Sequence, residues 1–160
     1  MIVIADTGPI NYLILIGEIQ LLPVLYGHVV IPASVAAELG RQSAPKLVSD
    51  WIAIAPAWLT IMSPARDADE GVQGLDPGER DAILLAEELQ ADRLIIDEMH
   101  GRRVAASRGI RSIGIVGVLL TAAEGGLMDL KRAVERLQET NFRASKELWD
   151  RLLALARNQS

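Results

Sequence analysis

Two short apolar runs in this chain each end in an aspartate: Ile2-Val3-Ile4-Ala5-Asp6 and Leu94-Ile95-Ile96-Asp97. Neither alternates polar with apolar, and both are rich in β-branched residues, the mark of strands buried on both faces. Such strands need helices above and below them, and the rest of the sequence supplies these. Val29-Val30-Ile31 reads as another buried strand, Leu59 to Met62 as a short edge strand and Ile113 to Val116 as the last one. Helical patterns fall between them, over Ile10–Ile16, Ile19–Leu25, Pro32–Leu39, Lys46–Ile54 and Met99–Arg108. Pro23 marks a kink or boundary in the second of these, and Gly40 closes the third. The strongest local signal is Asp76-Pro77-Gly78-Glu79, which places a capping acid, a proline at the first helical position and a Glu at the third. The alternation predicts an α/β chain, a three-layer α/β/α sandwich with a central parallel sheet of four to five strands.

Amphipathic helices over about Asp129–Glu139 and Ser145–Arg157 finish the chain as two extra elements from about residue 127. Ser63 through Leu75 mixes charge, Gly and Pro and reads as a loop, a candidate cover for one sheet edge. No repeat, low-complexity tract or linker interrupts residues 1–160, so one domain is expected. With one Phe, two Tyr and three Trp among its 160 residues, the core has to be aliphatic. The absence of cysteine excludes a disulfide framework, a thiolate zinc site and a cysteine nucleophile, and fits a cytoplasmic setting. The first apolar run lacks a basic region ahead of it and breaks at Asp6-Thr7-Gly8-Pro9, as a core strand does and a signal peptide does not. No apolar stretch is long enough to suggest a membrane span. With 21 acids against 16 bases, any contact with a polyanion has to be local.

Four acids fall where a parallel sheet brings its strand ends and following helix starts together: Asp6, Glu38, Asp81 and Asp97. Carboxylates crowded at one edge repel one another unless a divalent cation neutralises them, so the pattern predicts Mg²⁺ or Mn²⁺. Each acid also has an ordinary explanation. Asp6 and Asp97 can cap helices beginning near Pro9 and Met99, and Glu38 can be a solvated helix residue. Asp81 has a rival in Glu79, since either can point toward the sheet edge from one helix. Glu79 has a capping role available, so Asp81 is favoured as the ligand and Glu79 as auxiliary. The joint pattern favours a metal-dependent nuclease, with Asp6 and Asp97 as central ligands. Thr7 is then a candidate hydroxyl for holding a ligating carboxylate, and equally a turn residue.

Asp6-Thr7 after the first strand, Glu38 in Val35-Ala36-Ala37-Glu38, Asp81 in Asp81-Ala82-Ile83-Leu84-Leu85-Ala86, and Ile95-Ile96-Asp97 together resemble the PIN-domain ribonucleases. The resemblance runs from Ile2 to about Gly126, in order and with suitable spacing. It implies Mg²⁺- or Mn²⁺-dependent endonucleolytic cleavage of RNA, leaving 5′-phosphate and 3′-hydroxyl ends. Asp6, Glu38, Asp81 and Asp97 would be the metal-holding, catalytic acids. Many such proteins are VapC-like toxins of toxin–antitoxin pairs, commonly homodimers, so an antitoxin protein is an implied partner. This chain is longer than the compact toxin pattern at its carboxyl end, and its 63–75 segment is acidic and loop-like.

An acidic nuclease must still hold an anionic substrate. The window Gly101 to Arg111 carries Arg102, Arg103, Arg108 and Arg111 with no acid, directly after Asp97. Arg102 and Arg103 are the candidate RNA-binding residues, against the alternative of a solvated helix face or a dimer contact. Three other classes compete. Asp6-Thr7-Gly8 is the signature tripeptide of aspartic proteases, which are all-β and need two such carboxylates. A receiver-like signalling module would also gather acids and Mg²⁺ at strand ends, but wants a lysine after its last strand, where Gly114-Ile115-Val116-Gly117 stands. A catalytically degenerate PIN fold could act as a protein-binding module, although all four acids are present.

Overall fold

A computed structural model describes residues 1–159. Five strands form one all-parallel sheet: β1 (Val3–Ala5), β2 (Val29–Pro32), β3 (Leu59–Met62), β4 (Arg93–Ile95) and β5 (Ser112–Ile113), in the order β3-β2-β1-β4-β5. Between and after them run the helices α1 (Thr7–Leu15), α2 (Leu21–Tyr26), α3 (Ala33–Leu39), α4 (Lys46–Ala53), α5 (Pro77–Glu88), α6 (Met99–Ser107), α7 (Ile115–Glu124), α8 (Leu130–Gln138) and α9 (Lys146–Asn158). The expected three-layer α/β/α sandwich is what forms. Strand alternation sorts the core into two layers. Val3, Ala5, Val29, Ile31 and Ile95 face a cluster with α1, α7, α8 and α9. Ile4, Leu94 and Ile96 face a smaller one built on α5 and α6.

The strand order rejects two rivals. A receiver-like sheet runs 2-1-3-4-5, which this one does not. The parallel ladder is equally incompatible with the all-β protease fold. In this order the chain leaves β1 toward β2 and β3, then returns to place β4 on the other flank of β1. The direction of winding therefore reverses between β1 and β4, and a crevice opens at the carboxyl ends of strands at such a point.

Several boundaries differ from the sequence reading, each for a local reason. Pro32 ends β2 rather than opening α3, and Pro23 lies within the first turn of α2, where a missing N–H costs nothing. The strand expected over Ile113–Val116 is only Ser112–Ile113, and Ile115 begins helix α7, which is not anticipated at all. An unbroken apolar run carries no period that separates a buried strand from a buried helix. The 63–75 segment includes a single 3₁₀ turn over Glu70–Val72 and does not cover the crevice. It is pinned elsewhere, against α5 and α6: Arg108 bridges Asp69 at 2.5 Å and Glu87 at 2.8 Å, Arg66 pairs with Glu87, and Ala65 N–H donates to Glu88 at 2.9 Å.

Candidate active site

Asp6 follows β1 directly and is tied to β4, its backbone N–H donating to Ile95 O at 2.9 Å. It occupies the N-cap position of α1, yet its side chain caps nothing. The carboxylate is buried at 6% exposure, and its Oδ1 has no hydrogen-bond partner. Asp97 stands two residues beyond β4. The helix it was expected to cap, α6, has Glu98 at its N-cap position. Asp97 Oδ1 instead accepts from Ile115 N–H, at the start of α7, at 2.8 Å, which leaves Oδ2 buried and unpartnered. A Cβ at Gly114 would lie 2.7 Å from Asp97 Oδ1, so the absent side chain lets this carboxylate reach α7.

Glu38 is held from two sides. The Thr7 hydroxyl donates to its Oε2, and Gly78 N–H, in the first turn of α5, donates to Oε1 at 3.2 Å. A Cβ on Gly78 would lie 2.8 Å from both Glu38 oxygens, so glycine is what admits the carboxylate here. Asp76 caps α5 by accepting from Glu79 N–H at 2.8 Å, as the Asp-Pro-Gly-Glu pattern requires.

Asp6, Glu38 and Asp97 line one open cavity of about 970 Å³, together with Asp76, Glu79 and Glu98. Asp81, favoured over Glu79 as a ligand, does not line it. Its carboxylate accepts from Ser34 Oγ at 2.7 Å and Arg80 Nε at 3.0 Å, tying α5 to α3. Glu79 is the buried acid of α5 that faces the cavity, at 8% exposure. The two positions are separated by two residues, about 200° around a helix, so only one of them can face the crevice.

Burial and the neighbouring acids shift three of these carboxyl groups, Asp6, Glu79 and Asp97, upward. Desolvation raises the Asp6 carboxyl to about 7, with Asp76, Glu38 and Asp97 adding to the rise and the Thr7 backbone opposing it. Desolvation likewise lifts Glu79 to about 8, helped by the charges of Asp76, Asp6 and Glu98. Asp97 is raised mainly by burial, against the Ile115 backbone and Arg102. Of the two arginines expected to contact RNA, Arg102 lines the cavity and Arg103 is exposed outside it. Arg108 is taken up by Asp69 and Glu87. Arg143, on the α8–α9 connection, also lines the cavity. Nothing near it in sequence announced this, because the chain segment is brought in by helix packing alone.

The donor set suits a hard divalent cation. Unpaired carboxylate oxygens in a buried, acid-rich cleft are the oxygen ligands that Mg²⁺ and Mn²⁺ take. Among the described residues no three His, Asp or Glu groups are gathered tightly enough to enclose an ion unaided.

The α/β/α sandwich thus carries an acidic cavity at its winding reversal, and comparison with known proteins gives the fold a family. A family model described as a PIN domain matches residues 2–158, so the chain belongs to the PIN-domain family. The match extends through α8 and α9, beyond the region where the sequence motifs fall. Neither a curated protein nor a solved structure matches the chain significantly. Membership in this family makes a nuclease the expected activity.

Proposed function

We propose that this protein is an endoribonuclease that hydrolyses RNA phosphodiester bonds with Mg²⁺ or Mn²⁺. The observation that carries the reading is the pair of buried, partnerless oxygens, Asp6 Oδ1 and Asp97 Oδ2, in one cavity at the β1/β4 edge. Leaving a buried acceptor unsatisfied costs about 1–3 kcal/mol, so two such oxygens together suit a bound cation. Asp6 and Asp97 would hold the cation, and Glu38, fixed by Thr7 and Gly78, would orient the attacking water. A bound divalent ion supplies an activated water and neutralises charge gathering on the phosphoryl oxygens.

The chain's own residues do the remainder. Glu79, whose carboxyl group burial and neighbouring acids raise to about 8, would be the group that gives a proton to the departing oxygen. Arg102 and Arg143 offer guanidinium groups to the flanking phosphates, which offsets the acidity of the cleft. Asp81 acts as a brace between α3 and α5 in this reading, and Glu79 takes the place first assigned to it.

The finer assignment is the toxin of a toxin–antitoxin pair, working as a cytoplasmic homodimer and silenced by a small antitoxin protein. Its support is the family likeness. Expression of the wild type, but not of Asp97→Asn, should arrest growth, and co-expression of an adjacent small reading frame should relieve it. The activity itself is tested on single-stranded RNA with Mg²⁺, Mn²⁺ or EDTA, comparing wild type with Asp6→Asn. Cleavage is expected only for the wild type with metal, and cleavage that survives both EDTA and the substitution rejects the mechanism.

A further inference from the structure

One wall of the cavity is unlike the rest. Together with the acids, Tyr12 of α1 and Phe142 of the α8–α9 connection line this space, with Arg143 next in sequence. The two rings meet edge to face, centroids 5.1 Å apart at 77°, and Phe142 packs in the same manner on Trp149 of α9 at 6.1 Å and 79°. The Tyr12 hydroxyl donates to Asn141 Oδ1 at 2.8 Å, fastening the connection to α1. Only one Phe and two Tyr occur in the whole chain, so an aromatic pair bordering a carboxylate cleft is an unusual use of them. Arg143 is exposed, and among the described residues no carboxylate lies within ion-pairing distance of it.

We infer that Tyr12, Phe142 and Arg143 form a subsite for one unstacked nucleobase of the RNA and its phosphate, next to the bond that is cut. This rests on the nuclease reading and deepens it, because it gives the carboxyl-terminal helices a part in selecting substrate. Three features agree with a nucleobase. An aromatic edge-to-face cluster fixes a ring in place and leaves an apolar surface for a base to lie against. A free guanidinium beside it can reach the phosphate of the same nucleotide or stack on the base. Tyr12, Phe142 and Arg143 line the same cavity as Asp6 and Asp97, so a base held on this wall lies in the cleft that holds the acids. A base inside a duplex offers no free face, so the subsite selects single-stranded or locally opened RNA.

The test uses an oligoribonucleotide cut at one position, with each nucleotide flanking the cut replaced in turn by an abasic residue. Both cleavage by the metal-loaded enzyme and affinity in EDTA are measured. For the wild type, one flanking replacement should lower kcat/KM and affinity, by roughly 5- to 100-fold for a base stacked on an aromatic ring. Phe142→Ala should lose more on the base-containing than on the abasic substrate, abolishing that sensitivity at the same position. Phe142→Leu, which preserves apolar packing, serves where the alanine variant is unstable, and Arg143→Ala should weaken both substrates alike. Equal losses on base-containing and abasic substrates in the Phe142 variants, or no abasic position that matters, overturn the subsite and leave the nuclease standing. A chain that never cleaves but still binds the base through Phe142 overturns the nuclease and keeps the subsite.

Discussion

The two acids of α5 show how much a single side chain's direction decides. Glu79 and Asp81 share one helix, and the sequence offered a capping reason to demote Glu79 and keep Asp81. The structure separates them: the Glu79 amide receives the cap from Asp76, while its carboxyl group is left to enter the cavity. A full capping box would turn the Glu79 carboxyl group back onto the Asp76 N–H; only the reverse bond, Glu79 N–H to Asp76 Oδ1, forms, so the carboxyl group is left to the cavity. Glu79→Gln is therefore expected to slow cleavage by about 10²-fold or more, the ordinary loss for a proton-transfer group. Asp81→Asn should cleave within a few-fold of wild type and lose about 1–2 kcal/mol of stability from the weakened Ser34 and Arg80 contacts. Steady-state rates paired with thermal melts check both, and a dead but fully stable Asp81→Asn would reverse the assignment.

Helices matter here through their first turns. α5 begins beside Glu38, with Gly78 giving both an N–H and the space for the carboxylate, and α7 begins beside Asp97 in the same manner through Gly114 and Ile115. An anionic oxygen is favoured at a helix start by the unsatisfied N–H groups and the axial dipole. Gly78→Ala would put a methyl 2.8 Å from both Glu38 oxygens and displace the carboxylate. Cleavage should drop at least tenfold, a magnitude on the order of that for a misplaced catalytic group. The helix should gain propensity at the same time. Retained activity with unchanged metal affinity would show that Glu38 has no role. The α5 start was legible because it depends on neighbours in sequence, Asp76, Pro77 and Glu79. The α7 start was not, because Gly114-Ile115-Val116-Gly117 carries no cap and no period, and only the docking of this run against the sheet makes it a helix.

At the scale of the whole molecule, the cleft stores electrostatic strain that a cation would relieve. The Asp6 carboxyl rises from 3.8 to about 7 and Glu79 from 4.5 to about 8 in the fold. The folded chain then holds protons the unfolded chain has lost, so these groups contribute most below about pH 4 and that contribution is lost as pH rises to about 8. The metal-free protein should melt at progressively lower temperature from about pH 5 to pH 8, and Asp6→Asn should flatten the trend. Mn²⁺, which binds the deprotonated carboxylates, should raise the Tm more at the higher pH. A Tm that climbs with pH in the absence of metal would refute this charge balance. By itself the sequence determined the class of fold, the aspartates closing β1 and β4 and the capped start of α5, because each depends on residue type and local order. Tertiary packing alone decided that Glu79 rather than Asp81 enters the cavity, that α7 is a helix, and that Phe142 and Arg143 border the acids. Those outcomes depend on which surfaces are buried against which, and distant segments meet only when the layers close.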